Sequence, residues 1–228
     1  MSLFVDPDLE QVKESHRIDA RAVELNTAAY ADARDPRSRE TALRQVVKTR
    51  LNLEMSATQE MLKIALTAKP HQVTLVPERR EEITTEGGLD VVLNSVQLKP
   101  AVKMLEEGGI HVSLFVDPDL EQVKEAHRID AHAIELNTAA YADARDEKDR
   151  EAALRKAVDA ARFGRKLGLD VHAGHGLTYE NVRAVAALPE ISELNIGHNI
   201  VARAVLVGME RAVREMKDAM RTAPARTV

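Results

Sequence analysis

At 228 residues the chain is long enough for one large α/β domain with a sizeable core, and no stretch approaches the roughly 20 apolar residues that span a bilayer. Its 37 acidic and 32 basic side chains are interspersed, for a net charge of -5, so no basic block offers itself to a nucleic-acid backbone, while local anion sites stay open. The absence of cysteine excludes disulfides and thiolate metal sites, and Met1-Ser2-Leu3-Phe4-Val5-Asp6 lacks the basic start and long apolar core of a signal peptide, so a soluble cytoplasmic enzyme without nucleic-acid or membrane partners is expected.

Short apolar strands are predicted near 2–5, 22–26, 50–55, 72–76, 111–116, 132–136, 169–173 and 193–196. Helices are predicted near 7–17, 36–47, 58–68, 90–107, 119–128, 147–166, 179–187 and 200–221. Eight alternating βα pairs make a parallel sheet. Asp119 is placed to cap the helix carrying Leu120, Val123 and Ala126, and Gly168 lies just past the helix at 147–166. In the last helix Val205, Met209, Ala212, Met216 and Met220 recur every three or four residues, predicting one buried face.

A repeat runs through this pattern. Residues 2–47 match residues 113–158 at a constant offset of 111, with 37 identities in 46 positions, and the match stops after residue 47. An ancient half-barrel duplication would leave faint similarity over a whole half, whereas near identity with an abrupt end points to recent or deliberate copying. The offset carries strands five and six onto one and two. A closed (β/α)8 barrel accepts such a swap, because an odd-even pair replaces an odd-even pair in its layered interior; an open doubly wound sheet is the second choice. One domain over 1–228 is expected, with 1–47 as a βαβα module copied from 112–158 and 48–228 as the remainder.

Several strands carry polar residues on one face. In Arg50-Leu51-Asn52-Leu53-Glu54-Met55 the apolar residues suit packing against helices, which turns Asn52 and Glu54 toward the barrel axis. Glu-Leu-Asn recurs at 24–26, 135–137 and 193–195, and alternation again points Glu and Asn inward. Buried acids are costly without partners, so such a ring marks either a site or a hydrogen-bonded structural network. His175 and His198 follow strands among glycines, in Ala173-Gly174-His175-Gly176-Leu177-Thr178 and Ile196-Gly197-His198-Asn199. Helix N-termini after both turns would direct N–H groups at an anion such as phosphate; tight turns and capping histidines are the plainer alternative. The long charged loop 76–90 is a candidate lid or a solvated surface.

Asn52-Leu53-Glu54-Met55, Leu75-Val76-Pro77-Glu78, Thr84-Thr85-Glu86-Gly87-Gly88-Leu89-Asp90, Ala173-Gly174-His175-Gly176-Leu177-Thr178 and Glu193-Leu194-Asn195-Ile196-Gly197-His198 together resemble the pyridoxine 5'-phosphate synthase family, from about residue 47 to about 221. The resemblance implies a TIM barrel, typically a homo-oligomer, that condenses 3-amino-2-oxopropyl phosphate with 1-deoxy-D-xylulose 5-phosphate in vitamin B6 biosynthesis, without metal or organic cofactor. Carried over by motif, Glu54 resembles a catalytic acid/base, His175 the catalytic histidine and Glu135 a transition-state-stabilising carboxylate. Thr84 resembles a contact to deoxyxylulose phosphate, and Gly176, Gly197 and His198 the binding surface for the amino-ketone phosphate; inorganic phosphate is an expected ligand of the same surface.

The opening of the chain departs from the family. Its first strand carries an Asn-x-Asp-His pattern and a substrate-binding arginine, and its second leads into a His-Leu-Arg-Glu-Asp-Arg-Arg-His segment with another catalytic histidine; here stand Leu3-Phe4-Val5-Asp6-Pro7 and Val23-Glu24-Leu25-Asn26-Thr27. Asn137 also replaces the usual histidine and His172 the usual asparagine. Losing one general acid/base costs about 10²- to 10⁴-fold, so an impaired synthase is expected, with Glu24 as a substitute base. The alternatives are a catalytically inactive, engineered or rearranged barrel scaffold, and a metal-dependent hydrolase using His172, His175 and His198 with Glu54 or Glu135.

Overall fold

The computed structural model describes residues 2–5, 22–25, 50–84 and 87–221, the first two segments and Arg80 as backbone only. Eight parallel strands are present: β1 Ser2–Val5, β2 Ala22–Leu25, β3 Arg50–Met55, β4 Gln72–Leu75, β5 His111–Val116, β6 Ala133–Asn137, β7 Asp170–Gly174 and β8 Glu193–Asn195. Each pairs with the next in sequence, and β8 returns to β1 through Ser2↔Asn195, so the strand order closes on itself. β3 to β8 form the curved α/β sheet whose side chains are described.

Helices fill the connections from β3 onward: α1 Gln59–Ala68, α2 Val91–Glu107, α3 Leu120–Arg128, α4 Ala139–Ala142, α5 Glu147–Lys166, α6 Val182–Ala186, α7 His198–Val207 and α8 Met209–Arg221. The helices expected at 7–17 and 36–47, with Asn26, lie outside the described residues. No described helix is long and apolar enough to cross a membrane.

The period of two in each strand decides what faces where. Leu51, Leu53 and Met55, Val73 and Leu75, Val112, Leu114 and Val116, Ile134 and Leu136, and Val171 and Ala173 belong to the buried core shared with the helices. Burying each such aliphatic side chain contributes about 1.5–3 kcal/mol. The alternate residues Asn52, Thr74, Ser113, Glu135, Asn137, His172 and Asn195 are buried too, which in a ring of strands leaves them the interior. Polar groups there need partners, and Asn52 Nδ2 donates to Thr74 Oγ1 at 2.9 Å.

Local signals set several ends. Asp119 accepts from the N–H groups of Glu121 and Gln122 at 2.8 and 3.2 Å, the cap expected of it, although Leu120 is half-exposed and only Val123 and Ala126 are fully buried. Gly168 follows α5 with φ 89°, a conformation that favours glycine. The expected single helix over 200–221 is two. Gly208, with φ 83° and ψ 153°, breaks it between α7 and α8. The break resets the helix phase: Ala212 and Met216 are buried as expected, but Val205 is 82% exposed.

Candidate active site

Parallel strands place their C-terminal ends on one side, and there the ends of β3, β6, β7 and β8 surround a cavity of about 240 Å³. Glu54, Glu135, His175, Gly176, Gly197 and His198 all line it, together with Asn195 and Asn199. Six residues singled out in the sequence thus meet from four separate strand ends. Thr84 does not join them. It lines a neighbouring cleft with Asp117, Asp119, Lys156 and Asp159.

Glu135 is the best-held group. Asn195 Nδ2 donates to its Oε2 at 2.6 Å, while a Cβ on Gly174 would lie 2.3 Å from its Oε1, so only glycine at 174 leaves the carboxylate its place. Burial, then the charge of Glu54, push the Glu135 carboxyl up to about 8; the Asn195 hydrogen bond works against them, and Glu193 adds to them. Burial pushes Glu54 up to about 7. Two such carboxyls titrate as a pair, and near neutral pH they hold at least one proton between them.

His175 has φ 73°, a left-handed conformation costly for a side chain with a Cβ. Its ring packs on Phe115 with centroids 4.2 Å apart, and the Thr138 hydroxyl is shared between the carbonyls of Gly174 at 2.6 Å and His175 at 2.5 Å. Burial lowers its pKa, so the imidazole is neutral at pH 7. The strained turn, tied down from just past β6, holds a neutral imidazole at the cavity.

The two turns expected to meet an anion differ. α7 begins at His198 with Gly197 as its N-cap residue, so no capping side chain competes for its first N–H groups beside the cavity. After β7, by contrast, the expected helix over 179–187 shrinks to 182–186. Its approach is capped: Thr178 Oγ1 accepts from the N–H groups of Glu180 and Asn181 at 3.2 Å each, and Asn181 Oδ1 accepts from Thr178 at 2.7 Å. Those donors are therefore spent locally.

The profile of the family described as "Pyridoxal phosphate biosynthesis protein PdxJ" matches residues 1–46 and again residues 40–222. The chain belongs to this family. Among its relatives, the pyridoxine 5'-phosphate synthase of Syntrophotalea carbinolica is 62% identical over 176 residues, 77% of this chain and 74% of the relative. That of Geotalea uraniireducens is 56% identical over 181 residues, 79% and 76% of the two chains. Two solved structures share the fold alone: KGPDC from Streptococcus mutans, 12% identical with a TM-score of 0.64 over 97% of both chains, and the tryptophan synthase alpha-subunit from Pyrococcus furiosus, 15% identical with a TM-score of 0.62 over 96% and 95%.

Membership in the pyridoxine 5'-phosphate synthase family does not favour the hydrolase or scaffold alternatives. Among the described residues, the mouth histidines and acids form no group with metal-ligand spacing. His172 lies in the interior, paired in register with Glu135, and burial lowers its pKa.

Two residues of the site escaped sequence reasoning. Asp117, just past β5, accepts from Asn137 Nδ2 at 2.8 Å, from the Gly88 N–H at 3.0 Å and from the Thr84 hydroxyl, and so anchors the loop after β4. Thr138, just past β6, ties down the His175 turn. Their signal was position alone, a polar residue one step beyond a strand's C-terminal end.

Proposed function

We propose that the chain is a (β/α)8 TIM barrel in which residues 1–47 take the first two βα positions, and that it forms pyridoxine 5'-phosphate from 3-amino-2-oxopropyl phosphate and 1-deoxy-D-xylulose 5-phosphate at a reduced rate. The meeting of Glu54, Glu135 and His175 in one cavity beside the uncapped start of α7 carries this reading. The register Ser2↔Asn195 supports ring closure, and the second family match over residues 1–46 supports the module's origin.

The reaction joins an amine to a ketone, expels water and one of the two phosphates as inorganic phosphate, and closes a ring, so protons must be delivered and removed near neutral pH. A carboxyl raised to about 7 divides its time between acid and base there, which suits Glu54. Glu135, raised further, stays largely protonated and donates a hydrogen bond to developing negative charge. Neutral His175 accepts a proton from an attacking amine and returns it to a departing hydroxyl. Gly176, Gly197 and His198 receive the amino-ketone phosphate or inorganic phosphate. For Thr84 to bind the second phosphate, its hydroxyl must leave Asp117. Glu24, paired in register with Asn52 on β3, is the substitute base.

The exposed apolar side chains Val92, Leu93 and Val96 on α2 and Val205 and Leu206 on α7 support a homo-oligomer, and a biosynthetic role supports a cytoplasmic location. Incubating the purified chain with both substrates and quantifying pyridoxine 5'-phosphate tests the proposal. Product is expected above the enzyme-free rate, falling about 10²- to 10⁴-fold in His175→Ala. A rate equal to the enzyme-free mixture, or unchanged by that substitution, removes the reading.

A further inference from the structure

At the opposite end of the sheet, where the strands begin, Glu106, His111 and His132 stand together. We infer that they form a binding site for one divalent transition-metal ion of the zinc or cobalt type, separate from the cavity at the strand C-termini. One potential donor atom from each lies within 4.8 Å of the other two. Among the described residues no other group meets that spacing.

The backbone fixes all three. His111 opens β5 and its N–H donates to the His71 carbonyl at 3.2 Å; His132 immediately precedes β6 and donates to the Val112 carbonyl at 3.0 Å. Glu106, in the last turn of α2, uses Oε1 to accept the Val112 N–H at 2.8 Å, which leaves Oε2, 3.9 Å from His111 Nδ1, directed at the imidazoles. The two rings face each other with centroids 4.0 Å apart. A further carboxylate stands behind. Asp170 lies 3.6 Å from His132 Nε2 and is itself held by Arg165 at 2.7 Å, the kind of outer partner that orients a metal-bound histidine.

Two imidazole nitrogens and a carboxylate oxygen suit zinc or cobalt, at bond lengths of about 2.0–2.2 Å. Tetrahedral donors at those lengths stand roughly 3.4 Å apart, so the rings must splay and the donors close by about an ångström. The side chains have room: Glu106, His111 and His132 are 30%, 50% and 42% exposed, and an open cleft beside Glu106 and His132 admits water as a remaining ligand. The ion would bridge the end of α2, the start of β5 and the approach to β6, away from the strand ends that carry the cavity. The repeat does not duplicate the site. Position 21, which matches His132, is Arg21.

Chelator-treated full-length protein should bind one equivalent of Co²⁺, with visible d–d absorption, and of Zn²⁺. Zinc at about a hundredfold over its Kd should raise Tm by about 5 °C. The double substitution His111→Gln and His132→Gln should abolish the absorption and the zinc-dependent shift while its metal-free Tm stays close to that of the unaltered chain. Should the double variant fold poorly, paramagnetic Co²⁺ added to the unaltered protein should shift the ring signals of His111 and His132 before those of other histidines. Equal binding by the folded double variant, no one-equivalent binding by the unaltered chain, or first shifts at other histidines would overturn the inference.

Discussion

The chain holds nearly the same βα sequence twice, and the two strand pairs share one register. β1 meets β2 from Ser2↔Ala22 to Val5↔Leu25, and β5 meets β6 from Ser113↔Ala133 to Val116↔Leu136, the offset of 111 kept at every pair. Their next neighbours differ. Glu135 pairs with His172 on β7 and depends on the missing side chain of Gly174, whereas Glu24 pairs with Asn52 on β3, which is already bonded to Thr74. The two copies of a nearly identical module therefore meet different neighbours. The proton affinity of Glu135 is raised by burial and by Glu54 on β3 and held back by the Asn195 hydrogen bond from β8, so both named neighbours lie on strands outside its own module.

Substitutions can break this comparison from its strongest side first. Glu54→Gln is expected to lower pyridoxine 5'-phosphate formation about 10²- to 10⁴-fold in a product assay, whereas Glu24→Gln lowers it less than about tenfold. Equal rates with and without Glu24 would end its role as substitute base. Gly174→Ala should destabilise the chain by about 1–3 kcal/mol or more in denaturant unfolding, because the new Cβ would meet Glu135 at 2.3 Å and the Asn195 carbonyl at 2.9 Å.

The pH dependence sharpens the contrast. Glu54 and Glu135 are raised in the folded chain above their unfolded values near 4.5, so the folded state binds more protons between. Their contribution to stability is fully present below about pH 4.5 and is lost as pH rises through about 7 and 8. Denaturant unfolding should show stability declining between pH 5 and 9, a decline flattened in Glu135→Gln. The smallest effect tests the module itself: Asp119→Ala removes a helix cap and should cost about 1 kcal/mol, or about 2–4 °C in Tm, and Asp8→Ala should match it if the first copy folds like the second.

Most of the sheet was legible because each strand writes its own alternation: Leu51, Leu53 and Met55 outward, Asn52 and Glu54 inward, without reference to any other strand. The break at Gly208 was hidden, since apolar residues recur at helical spacing on both sides of it and only the backbone turn shifts Val205 to the surface. At the mouth, Glu54, Glu135, His175 and Gly197 were visible by type and place. Asp117 and Thr138 were not, because each acts across to another strand or loop, and no spacing within the sequence records such a contact. The pairing in which the Glu54 charge helps push the Glu135 carboxyl upward likewise joins two residues that only the curved sheet brings to one cavity.

A carbon-13 NMR titration of the Glu54 and Glu135 side-chain carboxyls puts that pairing to measurement. Both should titrate above pH 6 in the unaltered protein, and replacing Glu54 by Gln should pull the Glu135 midpoint down. Two ordinary titrations near pH 4.5, indifferent to each other's removal, would show that the carboxyls do not share a buried cavity and that the proposed proton chemistry has no seat in this chain.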